Sequence, residues 1–403
     1  MTTKLTLGDK VKHLRRTKGL TQSDLAGEDM TKSMLSQIEN GRALPSMRSL
    51  QILAARLGVD AGYFLEEEQS GDLPRLVRDI EAMHKQKNYQ SIVLTVKPLM
   101  EGKLPMTVDA ARLMEFYVDA CYYTGEDGWE EVIQRAVEIY ERFNLYVESV
   151  KVQYMAYALL FAQSRYKDSL ELILRLREDY VSKKVGNDFL FEIELHYAHS
   201  VTLSALGDYD GSREAALEAI KLSREQGVYY LTDHLYRVLS NLAQLSGNLD
   251  EAKMYLVKAG LYVQLTEDDL SIQLVRLSEI RQANVEQRYE EALLLAQQVR
   301  PQIKGSRYES NWYLQTGIAL YHLGRDEEAL ANLSKVTLPD DAYHPLDRAG
   351  FFTVYAYKAK IYAGHGKMEE ARQQSQIAYE RVREYPPSAY TQFIEATFLE
   401  LHP

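Results

Sequence analysis

The chain is poor in the residues and runs on which several common protein classes depend. Its 403 residues contain a single cysteine, Cys121, which excludes a disulfide framework and favours a reducing compartment. Proline is scarce, and no apolar run approaches the roughly 18 residues of a membrane-spanning helix. The first residues lack the basic and apolar pattern of a secretion signal. We therefore expect a cytoplasmic protein with no membrane partner.

Patterns that carry catalysis or bind metals are also missing. The sequence has no glycine-rich phosphate loop, no G-x-S-x-G and no evident nucleophile–base pair. His196 and His199 lie three residues apart, so a metal site is one interpretation. Without a cysteine partner or an H-E-x-x-H motif, packing or surface histidines are the favoured interpretation. We expect no enzyme activity, no catalytic residues, no cofactor and no metal.

Charge is distributed unevenly along the chain. Residues 1–63 hold ten Lys and Arg against six Asp and Glu, whereas the whole chain has a formal net charge of −11. A basic head on an acidic body indicates a nucleic-acid partner for the head alone. Chance remains the simple alternative for so small an excess.

The stretch TQSDLAGEDMTKSMLSQIENG, residues 21–41, predicts two short helices joined by a tight bend. Thr21 with Asp24 forms a capping-box pattern, Thr31 can cap the second helix, and Gly41 can end it. We predict one compact five-helix unit, in which Glu39 is structural and pairs with a basic residue of the first helix. The predicted inward-facing residues are Leu7, Val11, Leu14, Leu25, Ala26, Met34, Leu35, Ile38, Leu50, Leu53, Ala54 and Leu57.

Three motifs in this region resemble the helix-turn-helix domain of phage repressors: TQSDLA at 21–26, SQIENG at 36–41 and P-S-x-x-x-L at 45–50. The bend is one residue shorter than usual and lacks the customary glycine, near whose place Met30 stands. The resemblance implies that the second helix of the pair enters the major groove of DNA. It implies that Lys32, Ser33 and Gln37 face the DNA bases, with Ser36 close by. It also implies that four residues contact phosphates: Gln22, Thr31, Asn40 and Arg42. Asn40 as a helix cap and Gln37 as a solvated side chain remain alternatives.

The acidic body contains a repeated phrase: a small or polar residue, an anchor, acidic residues and then a small or apolar residue. Successive anchors lie 37–43 residues apart, and each phrase stands between two amphipathic helical patterns. The anchors are Tyr89, Trp129, Tyr166, Tyr209, Leu249, Tyr289, Asp326 and Met368.

This pattern resembles the tetratricopeptide repeat in a lengthened form. The resemblance implies an all-α chain whose N-terminal lambda-repressor-like domain precedes a right-handed, superhelical solenoid. We predict a helix-turn-helix domain over 1–66, a linker helix or first repeat helix over 67–86, and about eight helical hairpins over 87–403.

The first helix of each hairpin is expected to line a concave wall that holds a peptide, because side-chain amides can satisfy the backbone groups of an extended chain. Asn241 is predicted to clamp the peptide backbone, and Arg237 or Arg281 to bind a carboxylate. Solvated side chains are the alternative for each residue. The full set of predicted peptide-binding residues is Lys151, Tyr154, Tyr197, Arg237, Asn241, Gln244, Arg281, Asn284 and Asn311.

The combination of such a head with such repeats resembles the RRNPP family of Gram-positive quorum-sensing receptors, the group of Rgg, Rap, NprR, PlcR and PrgX. The resemblance implies a dimeric transcription regulator of operator DNA that is controlled by a short signalling peptide. The open alternative is a helix-turn-helix regulator whose repeats bind a protein, such as the response regulator of a phosphorelay, instead of or in addition to a peptide.

Overall fold

A computed structural model describes residues 7–40, 43, 45–59, 62–65, 73–100, 102, 104–182, 188–266 and 268–402. Every regular element in these residues is an α-helix, as the sequence predicted. The helices fall into two units. One unit contains the residues up to 159 together with 178–186, and the other contains 160–177 together with the residues from 187 onward. None of the helices in the described residues is long and apolar enough to cross a membrane.

Five helices form the head, and their starts follow the predicted caps. The Thr21 hydroxyl accepts from the Asp24 N–H, and the Asp24 carboxylate accepts in return from the Thr21 N–H at 2.8 Å. Thr31 and Ser46 cap the next two helices, and the hydroxyl of each accepts from the N–H three residues further on. Most of the predicted inward-facing side chains form one buried cluster. The helices are α1 (Leu7–Thr17), α2 (Gln22–Ala26), α3 (Lys32–Glu39), α4 (Met47–Leu57) and α5 (Gly62–Leu65).

A buried ion pair joins α1 to α3. Arg15 donates from Nε and Nη2 to the two carboxylate oxygens of Glu39, at 2.5 and 3.0 Å. Gln22 also donates to this carboxylate, at 2.8 Å. Burial raises the pKa of the Glu39 carboxyl, but the hydrogen bonds from Arg15 and Gln22 outweigh burial and hold that pKa below its ordinary value. The prediction that Glu39 pairs with a basic residue of the first helix is confirmed.

One inward-facing prediction in the head is wrong. Met34 is exposed, whereas Met30, in the bend, is buried in the head cluster. The short bend explains the exchange. Gly27 ends α2 at a positive φ of 54°, where a side chain would be strained and would collide with the Arg56 guanidinium. Arg56 donates to the Leu25 and Ala26 carbonyls at 2.9 and 2.6 Å, so α4 holds the bend and turns Met30 inward.

Beyond the head, helices alternate in pairs along the chain, and the second helix of every pair starts at a predicted anchor. The first helices of the pairs are α6 (Leu73–Lys85), α8 (Val108–Thr124), α10 (Tyr146–Ala162), α12 (Phe189–Ala205), α14 (Thr232–Leu245), α16 (Asp269–Val285), α18 (Glu309–His322) and α20 (Pro345–Gly364). The second helices are α7 (Tyr89–Met100), α9 (Trp129–Arg142), α11 (Tyr166–Ser182), α13 (Tyr209–Gln226), α15 (Leu249–Thr266), α17 (Tyr289–Ile303), α19 (Asp326–Leu333) and α21 (Met368–Val382). A last helix, α22 (Ala389–Leu401), packs on α20 and α21.

A common turn explains the repeated phrase. The residue two places before the anchor has a positive φ in seven of the eight turns, as at Gly207 (85°) and Gly247 (77°). The residue three places after the anchor is buried, and it is alanine in the last four pairs. Its small side chain allows the two helices to approach closely; the Ser240 hydroxyl, for example, donates to the Ala252 carbonyl at 2.8 Å. The phrase therefore encodes a left-handed turn residue followed by a close helix contact.

Candidate functional site

The first candidate site is the outer face of α3 in the head. Lys32, Ser33 and Gln37 are exposed there, and Ser36 is half-buried, while Leu35 and Ile38 anchor the opposite face in the core. One ammonium, one amide and two hydroxyls therefore share the accessible side of a helix that is fixed to α1 by Arg15 and Glu39. This set can donate to and accept from base edges.

The remaining predicted DNA contacts have structural partners or lie outside the described residues. Gln22 binds Glu39 through its amide nitrogen, and the Thr31 hydroxyl accepts from the Met34 N–H at 3.1 Å. The Asn40 amide donates to the Ser36 carbonyl at 2.7 Å, which is the capping role left open by the sequence. Arg42 lies outside the described residues, as does Gly41.

The second candidate site is a pair of adjoining cavities within the larger C-terminal unit. Four helices, α12, α14, α16 and α18, supply seven of the nine predicted peptide-binding residues to the cavity walls. These seven are Tyr197, Arg237, Asn241, Gln244, Arg281, Asn284 and Asn311. The first helices of consecutive hairpins thus bring the predicted residues together.

The first cavity has a volume of about 320 Å³. Its polar side is formed by Asn241, Gln244, Arg281, Asn284, Asn311, Gln315 and Asp347. Its apolar side is formed by Leu245, Val285, Leu314, Ile318, Phe351, Tyr357 and Phe393. A pocket with one apolar wall and a few convergent polar groups is typical of an organic ligand site.

The second cavity has a volume of about 330 Å³ and shares six lining residues with the first: Asn241, Arg281, Asn311, Leu346, Asp347 and Phe351. It adds Tyr197, His234, Arg237, Arg307 and His344. Burial raises the pKa of Tyr197, and burial lowers the pKa of both His234 and His344. These side chains are therefore neutral near pH 7, and the charge of the second cavity comes from its arginines and aspartates.

The amide side chains of the cavities bind neighbouring helices. Asn241 accepts a hydrogen bond from Arg281, and Gln244 donates to Gln282. The buried Asn284 amide donates to the Gln315 carbonyl at 2.9 Å, while its own side-chain oxygen has no partner among the described residues. Because the oxygen of Asn241 is engaged, its amide nitrogen is the group that remains for a ligand. At Asn241 the predicted peptide clamp can therefore donate a hydrogen bond, but its oxygen already accepts one from Arg281.

Lys151 and Tyr154 lie on α10, in the other unit. Lys151 is exposed, and the ring of Tyr154 stacks on that of Tyr157 with centroids 5.5 Å apart. Their part in a peptide site remains a prediction.

A set of contacts, here called the strap, connects α11, α12 and α13 to the segments that precede α20 and α22. The Tyr166 hydroxyl donates to the Tyr343 carbonyl at 2.7 Å, and the Tyr209 hydroxyl donates to the Pro387 carbonyl at 2.8 Å. His344 accepts at Nδ1 from the Leu346 N–H, so its neutral ring carries the proton on Nε2, which lies 2.8 Å from the Ser204 hydroxyl. The strap joins residues about 140–180 positions apart, next to the second cavity.

Sequence reasoning missed several residues of the cavities. Asp347, Phe351 and Tyr357 belong to α20, and Phe393 belongs to α22. The available signal was the repeat register itself, which places residues of the seventh and eighth hairpins on the same wall as those of the fifth and sixth. Our prediction ended at Asn311 and did not extend the register to the last hairpin.

His196 and His199 lie on α12 beside Arg177. Arg177 donates to His199 Nδ1 at 2.7 Å, and His196 Nδ1 lies 3.4 Å from the Glu218 carboxylate. Burial lowers the pKa of each imidazole to about 4, and the Arg177 charge adds to the effect. An arginine that donates to the ring favours packing over metal binding. Across the described residues, no three side chains of the metal-ligating types come together.

Comparisons with known proteins agree with this arrangement. The helix-turn-helix family model HTH_3 matches residues 11–64. The immunity repressor protein of Bacillus phage phi105 is 22 % identical over 151 residues, which make up 37 % of this chain and 92 % of that repressor. The family match lies in the head.

Two solved structures resemble longer parts of the chain. A Rap protein in complex with competence and sporulation factor has a TM-score of 0.50 at 11 % identity, and the match covers 82 % of this chain and 96 % of that one. PlcR of Bacillus thuringiensis, in complex with the peptide PapR7 and DNA, has a TM-score of 0.42 at 21 % identity over 65 % of this chain and 96 % of that one. Residues 11–64 thus match the helix-turn-helix family, as the sequence predicted, and the fold of the chain resembles that of a Rap protein.

Proposed function

We propose that this protein is a cytoplasmic transcription regulator that binds operator DNA through α3 and is controlled by a short signalling peptide held in the two cavities. The observation that carries the proposal is the convergence of seven predicted peptide-binding residues, from four successive first helices, on two adjoining cavities. PlcR, which this chain resembles, has been solved with both a peptide and DNA.

The cavity walls suit an extended peptide. The Asn241 amide nitrogen can donate to a peptide C=O, and the Gln244 amide oxygen can accept from a peptide N–H, groups whose desolvation would otherwise cost free energy. The apolar side offers a place for a side chain such as leucine or phenylalanine. A small polar metabolite would leave that side unfilled.

Peptide binding is tested with the full chain and a soluble library of random heptapeptides with free termini. Peptides retained by the protein are identified by mass spectrometry and measured by calorimetry. Asn241→Ala should weaken the best binder about tenfold, because one hydrogen bond contributes about 1–1.5 kcal/mol. Asn332→Ala, on α19 and outside the cavities, is the matched control and should leave affinity unchanged. Failure to retain any peptide would contradict the peptide part of the proposal.

DNA binding is tested separately, by selecting duplexes from a random-sequence pool with the full chain. Lys32→Ala and Gln37→Ala should cost about 1–3 kcal/mol on the selected site and relax its base preference. Arg16→Ala removes a similar charge from an exposed position of α1, so it should lower affinity without changing base preference. Identical base preferences in all the variants would remove α3 from the reading role.

We also propose that the protein acts as a homodimer, since repressor-type heads bind two half-sites about one helical turn apart. Light scattering after gel filtration, with and without a selected peptide, measures the mass directly. A monomer under both conditions, together with binding to single half-sites, would contradict this part of the proposal.

A further inference from the structure

We infer that the ligand of the cavities carries a carboxylate that Arg237 and Arg281 bind together, beside an apolar side chain that occupies the apolar wall of the first cavity. This inference rests on the proposed function and gives the chemistry of the peptide it requires.

The two arginines have no acidic partner at ion-pair distance among the described residues. Arg237 on α14 and Arg281 on α16 both line the second cavity, and both are only partly exposed. Each has a buried Nε with no acceptor, and neither forms an ion pair with any described residue. Other partly buried arginines of the same unit do have carboxylate partners: Arg213 with Glu251, Arg288 with Glu286 and Arg300 with Glu309.

Neutral groups hold the pair in place. Arg237 donates from Nη2 to His234 Nδ1 at 3.0 Å, and Arg281 donates to the Asn241 side-chain oxygen. Neither contact supplies negative charge, since burial and the Arg237 charge keep the His234 ring neutral. Two guanidinium charges are therefore positioned without a carboxylate at ion-pair distance among the described residues. A partly buried charge without a partner is costly, and a ligand carboxylate with bidentate geometry removes that cost.

The acidic side chains of the second cavity form no ion pair with Arg237 or Arg281 that would take the place of a ligand carboxylate. Asp341 forms an ion pair with Arg307 at 2.9 Å. Asp347 lies in the first turn of α20, where the helix dipole stabilises a carboxylate, and it forms no ion pair with the described residues. The positive charge of Arg237 and Arg281 thus remains for a bound anion.

The apolar wall identifies the rest of the ligand. It is continuous with the arginine pair, because Arg281 and Asn311 line both cavities. Five of its seven members, Leu314, Ile318, Phe351, Tyr357 and Phe393, come from α18, α20 and α22. An inorganic anion would leave this wall in contact with water. A peptide with an acidic group close to a large apolar side chain satisfies both parts.

The test uses heptapeptides selected on the full chain from a soluble random library with free termini. Each is resynthesised in three forms: unmodified, with a C-terminal amide, and with its Asp and Glu replaced by Asn and Gln. We expect one of the two neutralised forms to bind about tenfold or more weakly in calorimetry. Loss with the amide identifies the terminal carboxylate as the group bound, and loss with Asn or Gln identifies an acidic side chain.

The same peptides are then measured on variants of the chain. In Arg237→Gln/Arg281→Gln the preference for the carboxylate form should disappear, while Arg237→Lys/Arg281→Lys should retain part of it because the charge remains. Arg276→Gln, an exposed position on α16, is the matched control and should keep the full preference. Circular dichroism melting curves establish that every variant is folded.

The outcomes separate this inference from the function on which it rests. Peptides that bind equally well in all three forms, or a double glutamine variant that keeps the preference, would overturn the carboxylate site and leave the peptide receptor intact. Inorganic phosphate is also tested as a competitor. If it displaced a bound peptide at the same concentration as the unmodified peptide does, the proposed carboxylate site would be overturned. A chain that retains no peptide would contradict the proposed function and this inference together.

Discussion

At the scale of single residues, the arginine and histidine contacts of α12 make stability depend on pH. Because Arg177 donates to His199 Nδ1, the ring must be neutral in the folded chain, and burial lowers its pKa to about 4. The unfolded chain binds this proton near the ordinary value of 6.5. The stability contribution is therefore complete above pH 6.5 and is lost as the pH falls towards 4.

We predict that urea unfolding of the full chain loses on the order of 2 kcal/mol between pH 7 and pH 4.5 through His199, discounted for its partial exposure. His199→Asn keeps an oxygen that can accept from Arg177 but does not titrate, so its stability should fall less steeply over this range. His13→Asn, at an exposed position of α1, is the control. Equal pH slopes for His199→Asn and the wild-type chain would contradict the neutral-ring account.

Asn241 and Asn284 mark the limit of sequence reasoning at this scale. Their presence on the cavity wall follows from the repeat register. Their partners, Arg281 and Gln315, lie 40 and 31 residues away on neighbouring helices, and no local pattern specifies those contacts. Residue type and face could be predicted from the sequence, but the hydrogen bonds that decide which atoms remain available depend on tertiary packing.

At the scale of elements, the ion pair between Arg15 and Glu39 joins α1 to α3, the helix that we propose reads DNA. Their side chains are 11 % and 1 % exposed, respectively. Removing one partner leaves the other buried without compensation, which typically costs several kcal/mol, whereas replacing both with apolar residues is often tolerated.

We predict that Glu39→Ala lowers the local stability of α1 and α3 by about 2–4 kcal/mol and weakens DNA binding as a consequence. Hydrogen exchange of the head amides in the full chain measures this. Arg15→Met/Glu39→Leu should recover most of the exchange protection. If exchange in Glu39→Ala matched that of the wild-type chain, the pair would not be a structural clamp.

The capping residues and turn phrases of the sequence correctly predicted where the helices begin. Thr21, Thr31 and Ser46 cap helices as expected, and all eight anchors begin helices. Met34 was misplaced because the pattern does not reveal that Arg56, from α4, closes the bend and turns Met30 inward. Periodicity alone does not resolve which residues of so short a helix face the core.

At the scale of the whole molecule, the strap adds long-range contacts to a repeat array that is otherwise held by neighbouring hairpins. Tyr166 and Tyr209 bind the segments before α20 and α22. Within the strap, Ser204 and His344 line the second cavity, and Tyr166 binds the carbonyl of the residue before His344, so opening the strap should ease release of a ligand held there. The charge distribution, the repeated phrase and the helix-turn-helix motifs predicted the general architecture. The strap, in contrast, joins residues about 140–180 positions apart and corresponds to no sequence pattern.

We predict that Tyr166→Phe/Tyr209→Phe raises the dissociation rate of a selected peptide by up to about tenfold, since each lost hydrogen bond is worth about 0.5–1.5 kcal/mol. Surface plasmon resonance on the immobilised full chain gives the rate. Tyr229→Phe, an exposed position after α13, is the control. An unchanged rate would show that the strap does not restrain the ligand.

The central claim is that occupancy of the cavities and binding of DNA are coupled, and linkage makes that coupling reciprocal. The most direct measurement is the affinity of the full chain for its selected duplex at fixed salt, with and without a saturating selected peptide. The account predicts a change of about fivefold or more in one direction, which is lost in Arg237→Gln/Arg281→Gln. A peptide that saturates the wild-type cavities yet leaves DNA affinity unchanged would contradict it.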